Sequence, residues 1–179
     1  LVEQRIRPNF MQKKALRELN RNRAIGVNRS LVISATGSGK TYLAAFDALN
    51  FNPQRLLYVV HEGSILRKSL ETFQEVFNGL KYCGMYSGEA KELDADFIFT
   101  TNVSMCKSLE LFGKKEFDYI IIDECHHAVA DTYKRIIEYF EPENDFSNFF
   151  FLLFSKAERL IQKSDSELAV DIIENQGNG

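Results

Sequence analysis

The chain has 179 residues, 45% of them hydrophobic, and a formal net charge of −3. That length can bury one full core, so one domain is expected; no run of about 18 apolar residues occurs, so no membrane span is expected. The charge is not that of a general nucleic-acid binder, but it is uneven: residues 1–30 hold eight Lys/Arg against Glu3 and Glu18, a local +6 that leaves −9 for the rest. Such a basic N-terminal region suits either phosphate contact or a solvated helix face. The chain opens on Leu1 without a secretory pattern, which reads as a fragment or a processed chain. Cys83, Cys106 and Cys125 are odd in number and lack metal-type spacing, as expected of a reducing, cytoplasmic setting.

In chain order, residues 8–20 predict a helix with Met11, Ala15, Leu16 and Leu19 as its apolar stripe. The polar stretch 20–28 predicts a loop. Residues 30–34 form a continuous apolar run, the mark of a strand buried on both faces. A helix over 41–49 follows and is broken by Asn52-Pro53. Residues 56–60 predict a second buried strand, and 64–77 a helix opening on Ser64 as N-cap. Asn78-Gly79 stops it. Strands are expected over 82–86, 97–101 and 119–123, with helices over 104–111 and 131–140. A further strand is expected around Phe149 to Phe154, and a helix over 156–179. Apolar strands alternating with helices of about ten residues define an α/β fold, a mainly parallel sheet covered on both faces. The polar break 141–145 and the change of composition after it divide the chain into 1–143 and a divergent ending, 144–179.

Two segments carry chemistry. Ala35-Thr36-Gly37-Ser38-Gly39-Lys40-Thr41 follows the run Leu31-Val32-Ile33 and precedes a helix. A Gly-rich turn in that place aims backbone N–H groups into one small volume, and the helix N-terminus adds partial positive charge. Thr36, Gly37, Ser38 and Gly39 would cradle phosphates, Lys40 would reach the outer ones, and the Thr41 hydroxyl would ligate magnesium. Ser34 stands at the first position of the pattern, usually Gly or Ala.

The second segment, Asp123-Glu124-Cys125-His126, follows Tyr119-Ile120-Ile121-Ile122 about eighty residues after Lys40. Asp123, at the C-terminal end of an apolar strand, is placed to hold magnesium. Glu124 beside it is placed to orient and deprotonate an attacking water. His126 can couple the site to a neighbouring segment. His127 is expected on the surface and Cys125 as a spacer. Together the two segments predict a site for ATP and Mg²⁺ with Lys40, Asp123 and Glu124 as its catalytic groups.

The set resembles the N-terminal RecA-like lobe of superfamily 2 DExH-box helicases, a P-loop NTPase three-layer sandwich, and is most similar to the helicase/Res subunits of type III restriction enzymes. Leu57-Tyr58-Val59-Val60-His61 resembles motif Ia, whose strand end, here His61, lies against a nucleic-acid backbone in that family. Phe97-Ile98-Phe99-Thr100-Thr101 resembles the strand whose terminal Thr, here Thr101, contacts the same backbone. Arg7-Pro8-Asn9-Phe10-Met11-Gln12 resembles the Q-motif, in which the Gln reads adenine; Arg7 and Gln12 are the residues it assigns to the nucleotide. The likeness covers about residues 5–143.

Three positions depart from the family pattern. Glu62 replaces an Arg after motif Ia, and His126-His127 replaces His-Arg. No Thr-Ala-Thr-Pro motif III follows the strand around Phe149 to Phe154. The resemblance implies ATP hydrolysis coupled to movement on nucleic acid, DNA favoured over RNA. It implies a restriction or repair partner subunit, and a second RecA-like lobe that these residues do not include. Without that lobe the alternative is a catalytically weak nucleotide-binding module. A kinase or transporter ATPase fits the Q-motif and the Asp-Glu-Cys-His segment less well.

Overall fold

The computed structural model describes residues 6–35, 37–88, 90–123, 131–140, 149–156 and 169–172, the last two segments by their backbone. In chain order these form α1 (Phe10–Ala24), β1 (Arg29–Ala35), α2 (Lys40–Phe51), β2 (Leu56–Val60), α3 (Gly63–Phe77), β3 (Cys83–Tyr86) and β4 (Phe97–Thr101). After these come α4 (Asn102–Lys107) with a 3-10 turn (Leu109–Leu111), β5 (Tyr119–Ile122), α5 (Asp131–Phe140), β6 (Phe149–Lys156) and β7 (Ala169–Ile172). The seven strands make one sheet in the order β3-β4-β2-β5-β6-β1-β7. Every pairing is parallel except that of β7, which runs antiparallel along the edge of β1.

Parallel pairing explains why the strands read as unbroken apolar runs: helices cover both faces, so neither set of alternate side chains meets water. Along β2, Leu56, Tyr58 and Val60 pack with α1, α2 and α3, through residues such as Leu19, Leu43 and Phe73. Leu57 and Val59 pack the other way, with Met105, Phe117, Ile136 and Phe140 around α4 and α5. Tyr119 and Ile121 fall on the first face, so Asp123 continues that face by the two-residue period of a strand. The result is the three-layer α/β arrangement expected from the alternation. No helix among the described residues is long and apolar enough to cross a membrane.

Several local expectations change. α1 runs to Ala24, into the expected loop 20–28, because its C-terminal turn is held from outside. Arg23 donates to Asp47 Oδ1 at 2.6 Å and also to Oδ2, and Tyr119 donates to the same carboxylate. α3 starts at Gly63 with Glu62 as N-cap and no side-chain cap, so Ser64 is not its cap. The short helix after β4 starts at Asn102, capped by Thr101, and ends sooner than expected. The helix expected over 156–179 is overturned at Lys156, the last residue of β6, and at Ala169–Ile172, which is β7. Strand pairing to the open edge of β1 wins there over a helical pattern that was only partly periodic. The other residues of that expectation, 157–168 and 173–179, lie outside the described residues.

Burial dominates at Asp47. Its side chain is fully buried, and desolvation raises the carboxyl above its ordinary range against the opposing pull of Arg23 and Tyr119. Cys83 is also buried, and its thiol is pushed up to about 12, mainly by desolvation, which leaves it unreactive.

Candidate nucleotide and metal site

The site grows from the C-terminal ends of the central strands. β1 carries the chain to Ala35, and α2 begins five residues later at Lys40. The turn between them needs glycine: Gly37 and Gly39 sit at φ +80° and +82°, in the left-handed region. Gly39 is the N-cap of α2 and supplies no side chain to cap it, so the first N–H groups of the helix keep the donor character that suits an anion. Lys40, in the first turn, is 8% exposed.

α1 buttresses this turn. Gln12 donates from Nε2 to the Gly39 carbonyl at 3.2 Å. Its Oε1 accepts from the Asn9 N–H at 2.9 Å, while Asn9 Oδ1 accepts from the Gln12 N–H at 2.8 Å. This is a reciprocal capping box, and the Asn9-to-Gln12 spacing is the sequence signal for it. Gln12 is 6% exposed, so its amide is engaged within the protein at both ends. Arg7 lies just before the helix and is exposed.

A Cβ added to Gly39 would meet Gln12 Nε2 at 2.9 Å. Gly39→Ala therefore puts a side chain into a left-handed conformation, at a cost of about 1–2 kcal/mol, and pushes Gln12 off its partners. The expected result is a lower melting temperature together with loss of nucleotide binding, both read in one thermal-shift series. A Gly39→Ala protein that melts and binds like the wild type would contradict this account of the turn.

From β5, Asp123 arrives on the same face of the sheet. Its N–H continues the parallel ladder by donating to the Val59 carbonyl at 2.9 Å. Its side chain is 4% exposed and accepts a hydrogen bond on Oδ2 from the Tyr58 hydroxyl at 2.7 Å. The side chains of Thr41 and Ser69 lie near enough to the same phenol to act on its ionisation, both in favour of the phenolate. Burial first, and then the charge of Asp123, hold the phenol well above its ordinary pKa, so it remains a donor. The two residues expected to hold magnesium, Thr41 and Asp123, thus both lie near one tyrosine hydroxyl, which donates to Asp123. One hydroxyl and one carboxylate form a hard oxygen set, the kind Mg²⁺ takes when phosphates and water complete its shell. The donor set present fits that ion.

His61 and Thr101 stand at neighbouring strand ends, because Val60 pairs with Thr101. His61 is exposed. Thr101 has a structural task that sequence reasoning missed: its hydroxyl accepts from the Ser104 N–H at 3.2 Å and donates to Ser104 Oγ at 3.0 Å. Lys13, Arg17 and Arg21 are exposed at four-residue intervals along α1, whereas Arg23 is engaged with Asp47. Thr36, Glu124 and His126, with Cys125 and His127, lie outside the described residues. Ser69, Arg23 and Asp47 had no motif to announce them, and the motif Ia run that contains Tyr58 pointed to its strand end, His61, and not to the tyrosine.

A Gly-rich turn after the first strand and an acidic residue ending a strand of the same parallel sheet define a P-loop NTPase fold. The family model for the type III restriction enzyme res subunit matches residues 5–155. The helicase-family protein IRC3 of Saccharomyces cerevisiae is 29% identical over 130 residues, 65% of this chain and 18% of that protein. The type I restriction enzyme EcoAI endonuclease subunit of Escherichia coli is 27% identical over 145 residues, 74% of this chain and 18% of the relative. The crystal structure of the UvsW helicase from bacteriophage T4 superposes with a TM-score of 0.61 at 22% identity, covering 83% of this chain and 53% of that one. The chain belongs to the type III restriction enzyme res-subunit family, as a RecA-like N-terminal lobe of the superfamily 2 helicase type. It spans under a fifth of the length of either curated relative.

Proposed function

We propose that this lobe binds Mg·ATP and forms the N-terminal half of a motor that couples ATP hydrolysis to movement on nucleic acid, DNA favoured over RNA. The observation that carries the reading is the buried Asp123 carboxylate at the end of β5, held by the Tyr58 hydroxyl at 2.7 Å on the sheet face that also carries the turn 37–41, with Thr41 near the same phenol. In this reading the backbone of residues 36–40 and Lys40 hold the phosphates, with Arg7 and Gln12 on the adenine side. Thr41 and Asp123 hold Mg²⁺, which when bound would neutralise phosphate charge. Glu124 orients and deprotonates the attacking water, and His126 couples the site to its surroundings. His61, Thr101 and the basic face of α1 are the proposed nucleic-acid contacts. The lobe proper is residues 1–143, with 144–179 as its divergent ending. A restriction or repair subunit is the proposed partner in a cytoplasmic assembly.

An arginine contributed from a second lobe is worth about 10³–10⁵ in rate in related phosphoryl transfer. These residues alone are therefore expected to bind nucleotide but to turn it over very slowly. Ligand at about 100 times its Kd stabilises a native state by about 2.7 kcal/mol, roughly 5–10 °C for a chain of this size. Mg·ATP should raise the melting temperature by that order, and DNA-stimulated phosphate release should be negligible. An unchanged melting temperature at millimolar Mg·ATP would remove the nucleotide site. Robust turnover lost in Glu124→Gln would show instead that one lobe suffices.

A further inference from the structure

We infer that Tyr58 is a positioning residue for the magnesium ligands, its hydroxyl fixing the orientation of the Asp123 carboxylate. The inference rests on the nucleotide-site reading above and adds a residue to it.

The tyrosine ring is fully buried and fixed on two sides. It stacks on Phe99 of β4 at 5.2 Å between centroids and meets Phe73 of α3 edge-on at 5.4 Å. A ring clamped in this way has one place for its hydroxyl, and that place is 2.7 Å from Asp123 Oδ2. Securing one carboxylate oxygen sets the plane of the whole group, and with it the direction in which the other oxygen faces. Ser69, 1% exposed on α3, has its side chain near the same phenol. Phenylalanine would fill the same space in β2 with the same packing, so packing alone does not account for the hydroxyl. Removing an outer hydrogen-bond partner of a metal ligand lowers metal affinity by about 10–100-fold in well-studied sites.

The test is nucleotide binding measured against free Mg²⁺ for the wild type, Tyr58→Phe and Ser69→Ala, with ligand-free melting recorded for each. For Tyr58→Phe the half-saturating Mg²⁺ concentration should rise about tenfold, while affinity for ATP in EDTA stays unchanged. Ser69→Ala keeps the phenol and should show a smaller rise of the same sign; it carries the test if Tyr58→Phe folds poorly. A purely structural tyrosine would lower the melting temperature and leave the Mg²⁺ requirement where it was, and that result in both variants overturns the inference. A wild type without Mg²⁺-dependent binding would defeat the nucleotide reading itself. Normal wild-type binding with unaltered variants defeats only the role of Tyr58.

Discussion

Lys40→Ala should bind Mg·ATP roughly ten- to a hundredfold more weakly than the wild type, because a hydrogen bond to a charged group is worth about 1.5–3 kcal/mol. The expectation follows from where the lysine sits. It is in the first turn of α2, beside a Gly39 N-cap that contributes no side chain, and it is 8% exposed. Alanine is the best helix former and suits the first turn of α2. The ligand-free melting temperature should therefore move little, and the stabilisation by nucleotide should disappear. Titration of a fluorescent ATP analogue into both proteins reads the affinity, and a melting scan reads the fold. A Lys40→Ala protein that keeps wild-type affinity would mean that the phosphates bind elsewhere.

The largest expected loss of stability is at Arg23. Its guanidinium meets both carboxylate oxygens of Asp47, and it lies over the Phe51 ring at 5.3 Å. Asp47 is fully buried, so truncating Arg23 leaves a charge, or a carboxyl forced to take up a proton, deep in the α1–α2 interface. Breaking a buried pair from one side costs about 3–5 kcal/mol, on the order of 6–20 °C in melting temperature for a chain of this length. Asp47→Asn combined with Arg23→Ala should recover part of that loss, since the uncompensated charge is gone and Tyr119 can keep an acceptor. A melting temperature within a degree or two of wild type for Arg23→Ala would show that the pair contributes nothing. The effect should extend to nucleotide binding. α1 is pinned to α2 at two points, Arg23 to Asp47 near one end and Gln12 to the Gly39 carbonyl at the other, and loosening the first strains the second.

The sequence carried the central strands well. β2, β4 and α5 have the bounds read from the residues, because continuous apolar runs and their polar or Pro/Gly borders act locally. What was not legible is tertiary. The last turn of α1 is polar and looks like loop; it is helical because Arg23 finds Asp47, 24 residues on. β7 is a strand because β1 offers an open edge, which no local pattern in 169–172 announces. The same division runs through the site. Lys40, Thr41 and Asp123 stand out because phosphate and metal chemistry demands those residues after those strands. Tyr58 looks like one more apolar residue of a buried strand. Its hydroxyl acquires a task only when β5 pairs beside β2 and brings Asp123 to it, 65 residues away in sequence. Gln12 lies between the two cases: its motif was legible, but its bond to Gly39 was not.

The most direct measurement is a calorimetric titration of the wild-type chain with ATP, once with Mg²⁺ and once in EDTA. One site per chain is predicted, with binding that weakens strongly without the metal and in Asp123→Asn. Absence of binding, or binding indifferent to both the metal and Asp123, would contradict a nucleotide site built from the phosphate loop and the end of β5.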